Sequence, residues 1–238
     1  MSDLLIIIMY SFFSGITVFF GGVFSFLFEK YFKESPMKKN LIHSFIAFGG
    51  GIIIAAVAFV LVPKGIEVLG IIPIVLSFLS GALLFLLLDR YIESKAGNIS
   101  QVLVMLIDFI PEAIALGAVF ATDHKLGLLL AIFIGLQNFP EAFNSYGDLR
   151  KNNYSVKKCL IILFFLSFLG IVSALLGNVF LSDMPELTSS LMLFASGGIL
   201  YLVFQDIAPL AKVKKTYFPA LGVNFGFLLG IIGHKLLG

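Results

Sequence analysis

Eight long apolar segments follow one another along the chain, and this feature limits the possible folds most strongly. Each segment is long enough to cross about 30 Å of hydrocarbon as a helix. The segments cover residues 4–28, 41–62, 71–91, 100–121, 126–146, 158–181, 187–210 and 218–237. Backbone groups inside a bilayer must be hydrogen-bonded within the segment, and the alternating pattern of strands is absent. The sequence therefore predicts eight transmembrane helices.

The composition agrees with a protein that is embedded in a membrane. Hydrophobic residues make up 59% of the 238 positions and the mean hydropathy is +1.06, which no soluble domain of this size matches. We expect one all-α transmembrane domain over residues 1–238, without a second soluble domain. The single cysteine, Cys159, excludes an internal disulfide. No basic residue precedes the first apolar segment, so we expect a retained first span and not a cleaved signal peptide.

Basic residues are distributed unevenly between the two sides of the predicted bundle. One side carries 13 of the 16 lysines and arginines, which are Lys30, Lys33, Lys38, Lys39, Arg90, Lys95, Arg150, Lys151, Lys157, Lys158, Lys212, Lys214 and Lys215. The other side carries the remaining 3, which are Lys64, Lys125 and Lys235. Connections rich in lysine and arginine stay on the cytoplasmic side of a membrane. We therefore expect the first, third, fifth and seventh connections to be cytoplasmic and both termini to be outside.

Two of the segments resemble each other. Residues 48–63 contain Gly49, Gly50 and Gly51, then an apolar stretch and a proline, and residues 194–209 contain Gly197 and Gly198, then an apolar stretch and a proline. The two segments run in opposite directions, as an inverted repeat of spans 1–3 and 6–8 requires, with spans 4 and 5 between the halves. Glycine-rich helix faces are also common in membrane proteins without such a repeat.

The fourth and fifth segments share a second pattern, a proline followed by a glutamate. The fourth contains Asp108-Phe109-Ile110-Pro111-Glu112, and the fifth contains Gln137-Asn138-Phe139-Pro140-Glu141. In each helix a polar residue precedes the glutamate by four positions and therefore lies on the same face. A proline inside a helix removes one hydrogen bond and frees a backbone carbonyl one turn earlier. These patterns predict two kinked half-helices, 108–117 and 137–147, that share one polar site.

Four acidic residues fall within the predicted spans, and no basic residue lies at a comparable depth. They are Asp108, Glu112, Glu141 and Asp206. A charged side chain at membrane depth costs about 2.5–3.5 kcal/mol, so these groups must be protonated, share a proton or bind a cation. A cation held by oxygen ligands compensates several close carboxylates at once. We find no nucleophile–base pair, phosphate loop or basic nucleic-acid patch, so we expect neither an enzyme nor a nucleic-acid partner.

Further polar residues lie near this site along the predicted helices. Asn138 fits either the lining of the same cavity or a hydrogen bond to a neighbouring helix, and Asn144 lies further inward on a predicted exit path. Asp206, near the cytoplasmic end of span seven, fits either a gate or an interfacial polar cap. Asp89 and Arg90, at the inner end of span three, are predicted to form an interfacial ion pair.

The paired proline–glutamate helices resemble spans four and five of the ZIP family of divalent metal transporters. In that family span four carries His-Asn-x-Pro-Glu-Gly, and span five carries His or Gln, then an acid or Asn, any residue, and Pro-Glu. Residues 48–67, 81–90 and 196–209 are similar to the second, third and seventh spans of its GufA-like prokaryotic branch. The resemblance implies a bundle of eight helices in a 3+2+3 arrangement, a prokaryotic plasma or inner membrane, and a homodimer.

The resemblance also implies a metal site between spans four and five. Its first metal position corresponds to Asp108, Glu112, Gln137 and Glu141, and the family's second position corresponds to Phe109, Asn138 and, by alignment on residues 174–177, Gly170. Neither Phe109 nor Gly170 offers a side-chain ligand, so we predict one metal site. The usual histidine is Asp108 here. The resulting all-oxygen ligand set suits manganese, magnesium or ferrous iron relatively better than an imidazole does.

Two functions follow from these observations. The first is a secondary transporter that imports a divalent metal cation (zinc, manganese or ferrous iron) into the cytoplasm through the single site. The metal is then the substrate, and membrane lipid is the other partner. The second is a divergent ZIP-like protein that senses or binds transition metals without transporting them, or that carries another solute. The replacement of the span-four histidine by Asp108 and the loss of the second site motivate this alternative.

Overall fold

Eight membrane-spanning helices make up the structure, which is a computed structural model that describes residues 3–95, 100–120, 123–212 and 216–237. Within these ranges the eight helices are long and apolar enough to cross a membrane, and there is no β-strand. The prediction of an all-α multi-pass membrane protein is therefore confirmed. The helices are α1 (Asp3–Tyr31), α2 (Pro36–Ile66), α3 (Ile71–Lys95), α4 (Ser100–Phe120), α5 (His124–Lys151), α6 (Val156–Leu181), α7 (Pro185–Ala211) and α8 (Phe218–Leu237).

Several helices begin before the apolar segments do, because polar side chains cap them. The side chain of Ser35 accepts a hydrogen bond from the Lys38 N–H, so α2 begins earlier than the predicted residue 41. Asp123 caps α5 in the same way, and Ser155 caps α6. Such caps satisfy N–H groups that have no acceptor within the helix. Residue 121, the predicted end of span four, lies outside the described residues, as do Lys214 and Lys215.

The contacts between helices repeat between spans 1–3 and spans 6–8, on either side of a central pair. The helix α1 packs against α5, and its counterpart in the repeat, α6, packs against α4. In the same way α2 packs against α8, and its counterpart α7 packs against α3. The central helices α4 and α5 contact each other. This pattern of contacts confirms the predicted 3+2+3 arrangement with an inverted repeat of spans 1–3 and 6–8.

Both α2 and α7 contain a π-helical turn at corresponding positions. The turn is Val57–Leu61 in α2 and Val203–Ile207 in α7. In each helix the N–H of the next residue bonds to the carbonyl five residues back. A proline follows two residues after each turn, at Pro63 and Pro209. Single π turns inside α-helices are rare and occur often at functional sites.

Glycines bring the helix pairs of the repeat into backbone contact. A Cβ atom at Gly51 of α2 would overlap the carbonyl oxygen of Val223 in α8. A Cβ atom at Gly197 of α7 would overlap the carbonyl oxygen of Phe78 in α3. Small residues at helix interfaces allow this close approach in membranes. The two halves of the repeat therefore use the same kind of contact at equivalent places.

One half of the bundle, nearer to the connection between α4 and α5, is filled by apolar side chains. Phe120 of α4, Leu130 and Phe133 of α5, and Leu61 of α2 are at most 1% exposed and belong to one large cluster. Close-packed interiors leave few voids that could hold a water molecule. The polar side chains of the central pair therefore belong to the other half of the bundle. The helix ends of that half carry most of the basic residues.

Candidate functional site

The central helices bring the four predicted ligand residues together. The helix α4 contributes Asp108 and Glu112, and α5 contributes Gln137 and Glu141. The amide Nε2 of Gln137 donates a hydrogen bond to Oε2 of Glu112. The carboxyl groups of Asp108 and Glu141 lie within hydrogen-bonding reach of each other when one of them carries a proton. These four side chains form one cluster across the interface of α4 and α5, which we call the central cluster.

Both prolines of the pattern lie inside continuous helices. The helix α4 runs unbroken through Pro111, and α5 runs unbroken through Pro140. The predicted half-helices are therefore segments of longer helices, because the apolar residues on both sides of each proline remain packed in the bundle. A proline has no N–H to donate, so the carbonyls of Ile107 and Leu136 lack their usual helical donor.

The central cluster is shielded from solvent. Glu112 and Gln137 are 0% exposed, and Asp108 is 5% exposed. The backbone N–H of Phe109 donates a 2.8 Å hydrogen bond to Oδ1 of Asp108, which satisfies one carboxylate oxygen. The carboxyl groups of Asp108, Glu112 and Glu141 also interact electrostatically with one another. Like charges this close and this deeply buried cannot all be ionised without a compensating positive charge.

No lysine, arginine or histidine in the described ranges forms an ion pair with the central cluster. The ion pairs of the described residues are Lys38–Glu34, Lys64–Glu67 and Arg150–Glu29. All of them lie at helix ends or in connections. The buried carboxyl groups therefore receive no compensation from the basic side chains that the structure describes.

Several buried polar atoms in and around the central cluster have no hydrogen-bond partner. They are Oε1 of Glu112, Oε1 of Gln137, both polar side-chain atoms of Asn138, Oε2 of Glu141 and Oδ2 of Asp206. The great majority of buried side-chain polar atoms in proteins are hydrogen-bonded, so a concentration of exceptions calls for an explanation. All but one of these atoms can act as a hydrogen-bond acceptor or as a ligand to a cation.

The arrangement is not yet a closed coordination shell. Among the residues that the structure describes, no group of three or more histidine, cysteine, aspartate or glutamate side chains is arranged to hold a metal ion. The amide Nε2 of Gln137 occupies one oxygen of Glu112. The four predicted ligands are thus neighbours, and a hydrogen bond joins two of them.

A small cavity of about 50 Å³, the central cavity, lies directly beneath the cluster. Asp108, Glu141, Asn144 and Asp206 contribute to its lining. A cavity of this volume is large enough to hold water or one small ion. Asp206 belongs to the π-helical turn of α7, and its Oδ2 is among the buried atoms without a partner. The structure therefore places two of the three predicted pathway residues, Asn144 and Asp206, next to the site.

Gln101 lies beside the candidate site, and the sequence analysis did not identify it. Its Oε1 accepts a 2.9 Å hydrogen bond from Nδ2 of Asn144, and its carbonyl accepts one from Ser145. Gln101 lines the central cavity and also a cavity of about 220 Å³ with Asp89 and Glu93, the acidic cavity. It precedes Asp108 by seven residues, which places both on one helix face. This spacing could have identified Gln101.

The predicted ion pair between Asp89 and Arg90 is wrong. Asp89 is 8% exposed and accepts a 2.9 Å hydrogen bond from the hydroxyl of Tyr201 on α7. Consecutive residues of a helix point in directions about 100° apart, so Asp89 faces the bundle and Arg90 is exposed. Asp89 therefore contributes to the lining of the acidic cavity.

The residues of the second metal position leave no room for an ion. The ring of Phe109 is fully buried, and its Cζ atom would lie 2.6 Å from a Cβ atom at Gly170 of α6. Asn138 is also fully buried and has no hydrogen-bond partner for its side chain. The aromatic ring thus fills the space between α4 and α6 at this level, and Asn138 is the only one of the three residues with a side chain that could bind a metal.

Comparison with known proteins identifies a similar curated protein. No protein-family model matches the chain. A curated protein, "Zinc transporter GufA" from Myxococcus xanthus, is 30% identical to it over 139 residues. The matched region covers 58% of this chain and 55% of the relative, so the chain spans about half the length of the relative that it matches.

Proposed function

We propose, from the GufA-like ZIP family relationship that this similarity supports, that the chain is a secondary transporter of a divalent metal cation. The cation enters the cytoplasm through a single site formed by Asp108, Glu112, Gln137 and Glu141. The relative is named a zinc transporter, and the eight membrane-spanning helices have the architecture that such a carrier needs. Transport follows from movement of one helix group against another around a site near the middle of the bilayer.

One observation carries the proposal. Buried oxygen atoms without a hydrogen-bond partner are concentrated in the central cluster, where the buried carboxyl groups also form no ion pair with a described basic residue. Glu112, Gln137 and Glu141 each have one such oxygen. A divalent cation satisfies oxygen ligands and compensates carboxylate charge at the same time. A shared proton compensates charge too, but it satisfies only two oxygen atoms of the cluster.

The ligands take different roles in this proposal. Glu112 and Glu141 are the central anionic ligands, and Asp108 completes the set. Gln137 binds the cation through Oε1, which has no partner. Its amide must therefore turn so that Nε2 leaves Glu112. The nitrogen and oxygen of an amide are distinguished by their hydrogen-bond network, so the orientation changes when the network changes.

The ligand chemistry bears on which metal is carried. The four side chains offer carboxylate and amide oxygens and no imidazole or thiolate. Oxygen ligands suit manganese and other hard cations, whereas zinc binds well to nitrogen and sulfur ligands. The relative's name favours zinc, and the ligands of this chain favour manganese or ferrous iron. Competition between these metals in the assay below distinguishes the possibilities.

Metal uptake into proteoliposomes or cells tests the proposal. The variants Glu112→Ala and Glu141→Ala each remove one central ligand, and we expect uptake to fall by about 10–100-fold, the loss typical even of residues that only support metal ligands. Glu186→Ala, at an exposed position in the first turn of α7, is the matched control and should leave uptake unchanged. Unchanged uptake in both ligand variants, at normal expression, would refute the proposal.

A second candidate function is that of a divergent ZIP-like protein that senses or binds transition metals without transporting them, or that carries another solute, and the present arrangement of the site favours a protein that does not transport transition metals. The described acidic side chains do not form a ready metal cluster, and Gln137 holds Glu112 through a hydrogen bond. Equilibrium binding separates the two functions. A transporter binds and moves the same metal, whereas a sensor binds it at equilibrium and shows no uptake. A protein that binds no transition metal at micromolar concentrations carries another solute or none.

A further inference from the structure

A second large cavity at the basic end of the bundle differs in charge from the acidic cavity. It has a volume of about 560 Å³ and lies between α1, α2 and α5. Its charged lining consists of Lys38, Lys39, Arg150, Lys151, Glu29 and Glu34. The 4 basic side chains outnumber the 2 acidic ones, so we call it the basic cavity. Its excess of positive charge disfavours a cation, which the carboxylates of Asp89 and Glu93 in the acidic cavity attract, so the basic cavity suits an anion.

The excess positive charge belongs to two lysines. Lys38 pairs with Glu34 at 2.6 Å, and Arg150 pairs with Glu29 at 3.4 Å. Lys39 and Lys151 form no ion pair with any described residue, and both are exposed. They lie at the ends of α2 and α5 that face the headgroup region of a membrane. Glu34 and Asp148 interact electrostatically with Lys39 and Lys151 respectively, without forming an ion pair, so these two lysines are the basic groups of the cavity that remain free to pair with an anion.

A continuous aromatic surface leads from the basic cavity toward the middle of the membrane. Phe28 and Phe143 line the basic cavity, and their ring centroids are 5.7 Å apart. Phe143 contacts Phe45 with a centroid distance of 5.3 Å, and Phe45 contacts Phe139 at 5.8 Å. Phe45 and Phe139 line an apolar cavity of about 470 Å³ between the same three helices, which we call the aromatic groove. The line of phenylalanine rings thus connects the basic cavity with the aromatic groove.

The aromatic groove is open to the surrounding lipid. Phe13 is 59% exposed, Ile132 39% and Leu136 37%, and all three line the groove. The groove therefore faces the hydrocarbon at a depth where only an apolar chain can fill it. An acyl chain enters from the bilayer without crossing the protein. With its headgroup at the basic helix ends, it occupies the part of the groove near Phe139 and Leu136, because Ile132 lies 19 residues, about 28 Å along a regular helix, from Lys151.

We propose that the basic cavity and the aromatic groove together bind one anionic phospholipid. Its phosphate contacts Lys39 and Lys151, and one acyl chain lies along the aromatic groove between α1, α2 and α5. Basic pockets between membrane helices are a known mode of recognition for anionic headgroups. A free phosphate ion uses only the two lysines, and a zwitterionic lipid uses only the groove. The anionic lipid uses both, and it does so whether or not the chain transports a metal.

Lipid binding to the purified full-length chain tests the inference. The delipidated protein in detergent is titrated with phosphatidylglycerol, with phosphatidylcholine of the same acyl chains, with a six-carbon phosphatidylglycerol and with inorganic phosphate, and complexes are counted by native mass spectrometry. We expect phosphatidylglycerol with long chains to bind most tightly. The variant Lys39→Gln/Lys151→Gln should weaken it by about ten- to thirtyfold, about fivefold for each lysine. The control Lys125→Gln/Lys235→Gln removes the same charge at the other end and should change the affinity less than about twofold.

A second pair of variants tests the groove. Leu136→Trp fills the aromatic groove and should weaken long-chain phosphatidylglycerol without changing phosphate binding. Leu76→Trp, on the exposed face of α3, is the control. Equal affinities for phosphatidylglycerol and phosphatidylcholine, or no effect of the lysine pair in a protein of normal thermal stability, would overturn the inference. Phosphate binding as tight as long-chain lipid would show a free-anion site instead.

Discussion

Phe109 and Gly170 decide how many metal ions the proposed site can hold. Phe109 follows Asp108 directly, so its ring points away from the central cluster and into the interface with α6, where it packs against Gly170. A second metal would need ligands at Phe109 and Gly170, and neither residue has a polar side chain. The ring of Phe109 also fills the space between α4 and α6, since it is 0% exposed. A water-bridged second ion therefore has no room at this position.

We expect the purified chain to bind one equivalent of Mn²⁺ or Zn²⁺. After removal of metal with a chelator, titration followed by elemental analysis gives the stoichiometry. The double variant Glu112→Gln/Glu141→Gln keeps the size of both side chains, removes the anionic ligands and should lose most of the bound metal. Two equivalents in the unaltered chain, both lost in the double variant, would show a binuclear site and contradict the role of Phe109.

At the scale of the helices, the repeat rests on contacts between glycines and backbone. Gly51 and Gly197 occupy equivalent places in α2 and α7, and a Cβ atom at either one would overlap a carbonyl oxygen of the neighbouring helix. A backbone atom cannot rotate away as a side chain does, so the two helices must separate to admit a methyl group. The same substitution should therefore have the same effect in both halves.

Gly51→Ala and Gly197→Ala should each destabilise the bundle by about 1–3 kcal/mol, the usual result of overpacking, although alanine favours the helix itself. The midpoint of thermal unfolding in detergent measures the change. Gly70→Ala is the control, because a Cβ atom there has nothing within 4 Å. A lower midpoint for Gly51→Ala alone would show that the two halves are not equivalent in their packing.

At the scale of the whole molecule, charge and shape are both asymmetric. Apolar side chains fill the half of the bundle near the connection between α4 and α5, whereas the central, acidic and basic cavities lie toward the other end. That end carries most of the lysines and arginines, and by the positive-inside rule we expect it to lie in the cytoplasm. In this orientation the proposed metal site communicates with the cytoplasm and is closed toward the outside.

Labelling of single cysteines tests the orientation. The only natural cysteine, Cys159, is buried and can be replaced by alanine. In that background, Glu67→Cys should react with a membrane-impermeant thiol reagent in intact cells, and Glu34→Cys should react only after the membrane is made permeable. Both side chains are more than half exposed, so the comparison is matched. The reverse pattern would place the cavities outside and would contradict the expected orientation.

The apolar segments and the distribution of charge were sufficient to predict the eight helices, because the requirement for hydrogen-bonded backbone in lipid leaves few alternatives. The repeat was predictable from glycines and prolines that recur in order. The hydrogen bond from Gln137 to Glu112, the contact of Asp89 with Tyr201 and the role of Gln101 were not predicted. Each depends on how two helices are rotated against each other, which the spacing within one helix does not determine.

The π-helical turns have a consequence for the ends of α2 and α7. Each turn contains one more residue than a regular α-helical turn, so every side chain beyond it is rotated by about 100° relative to an uninterrupted helix. A constant helical period therefore assigns the residues after Leu61 or Ile207 to the wrong face of the helix. A regular α-helix formed by the same residues would turn the tip of α2 or α7 toward different neighbours. Loss of one residue from either turn would instead restore the regular period and leave the tip in its present contacts.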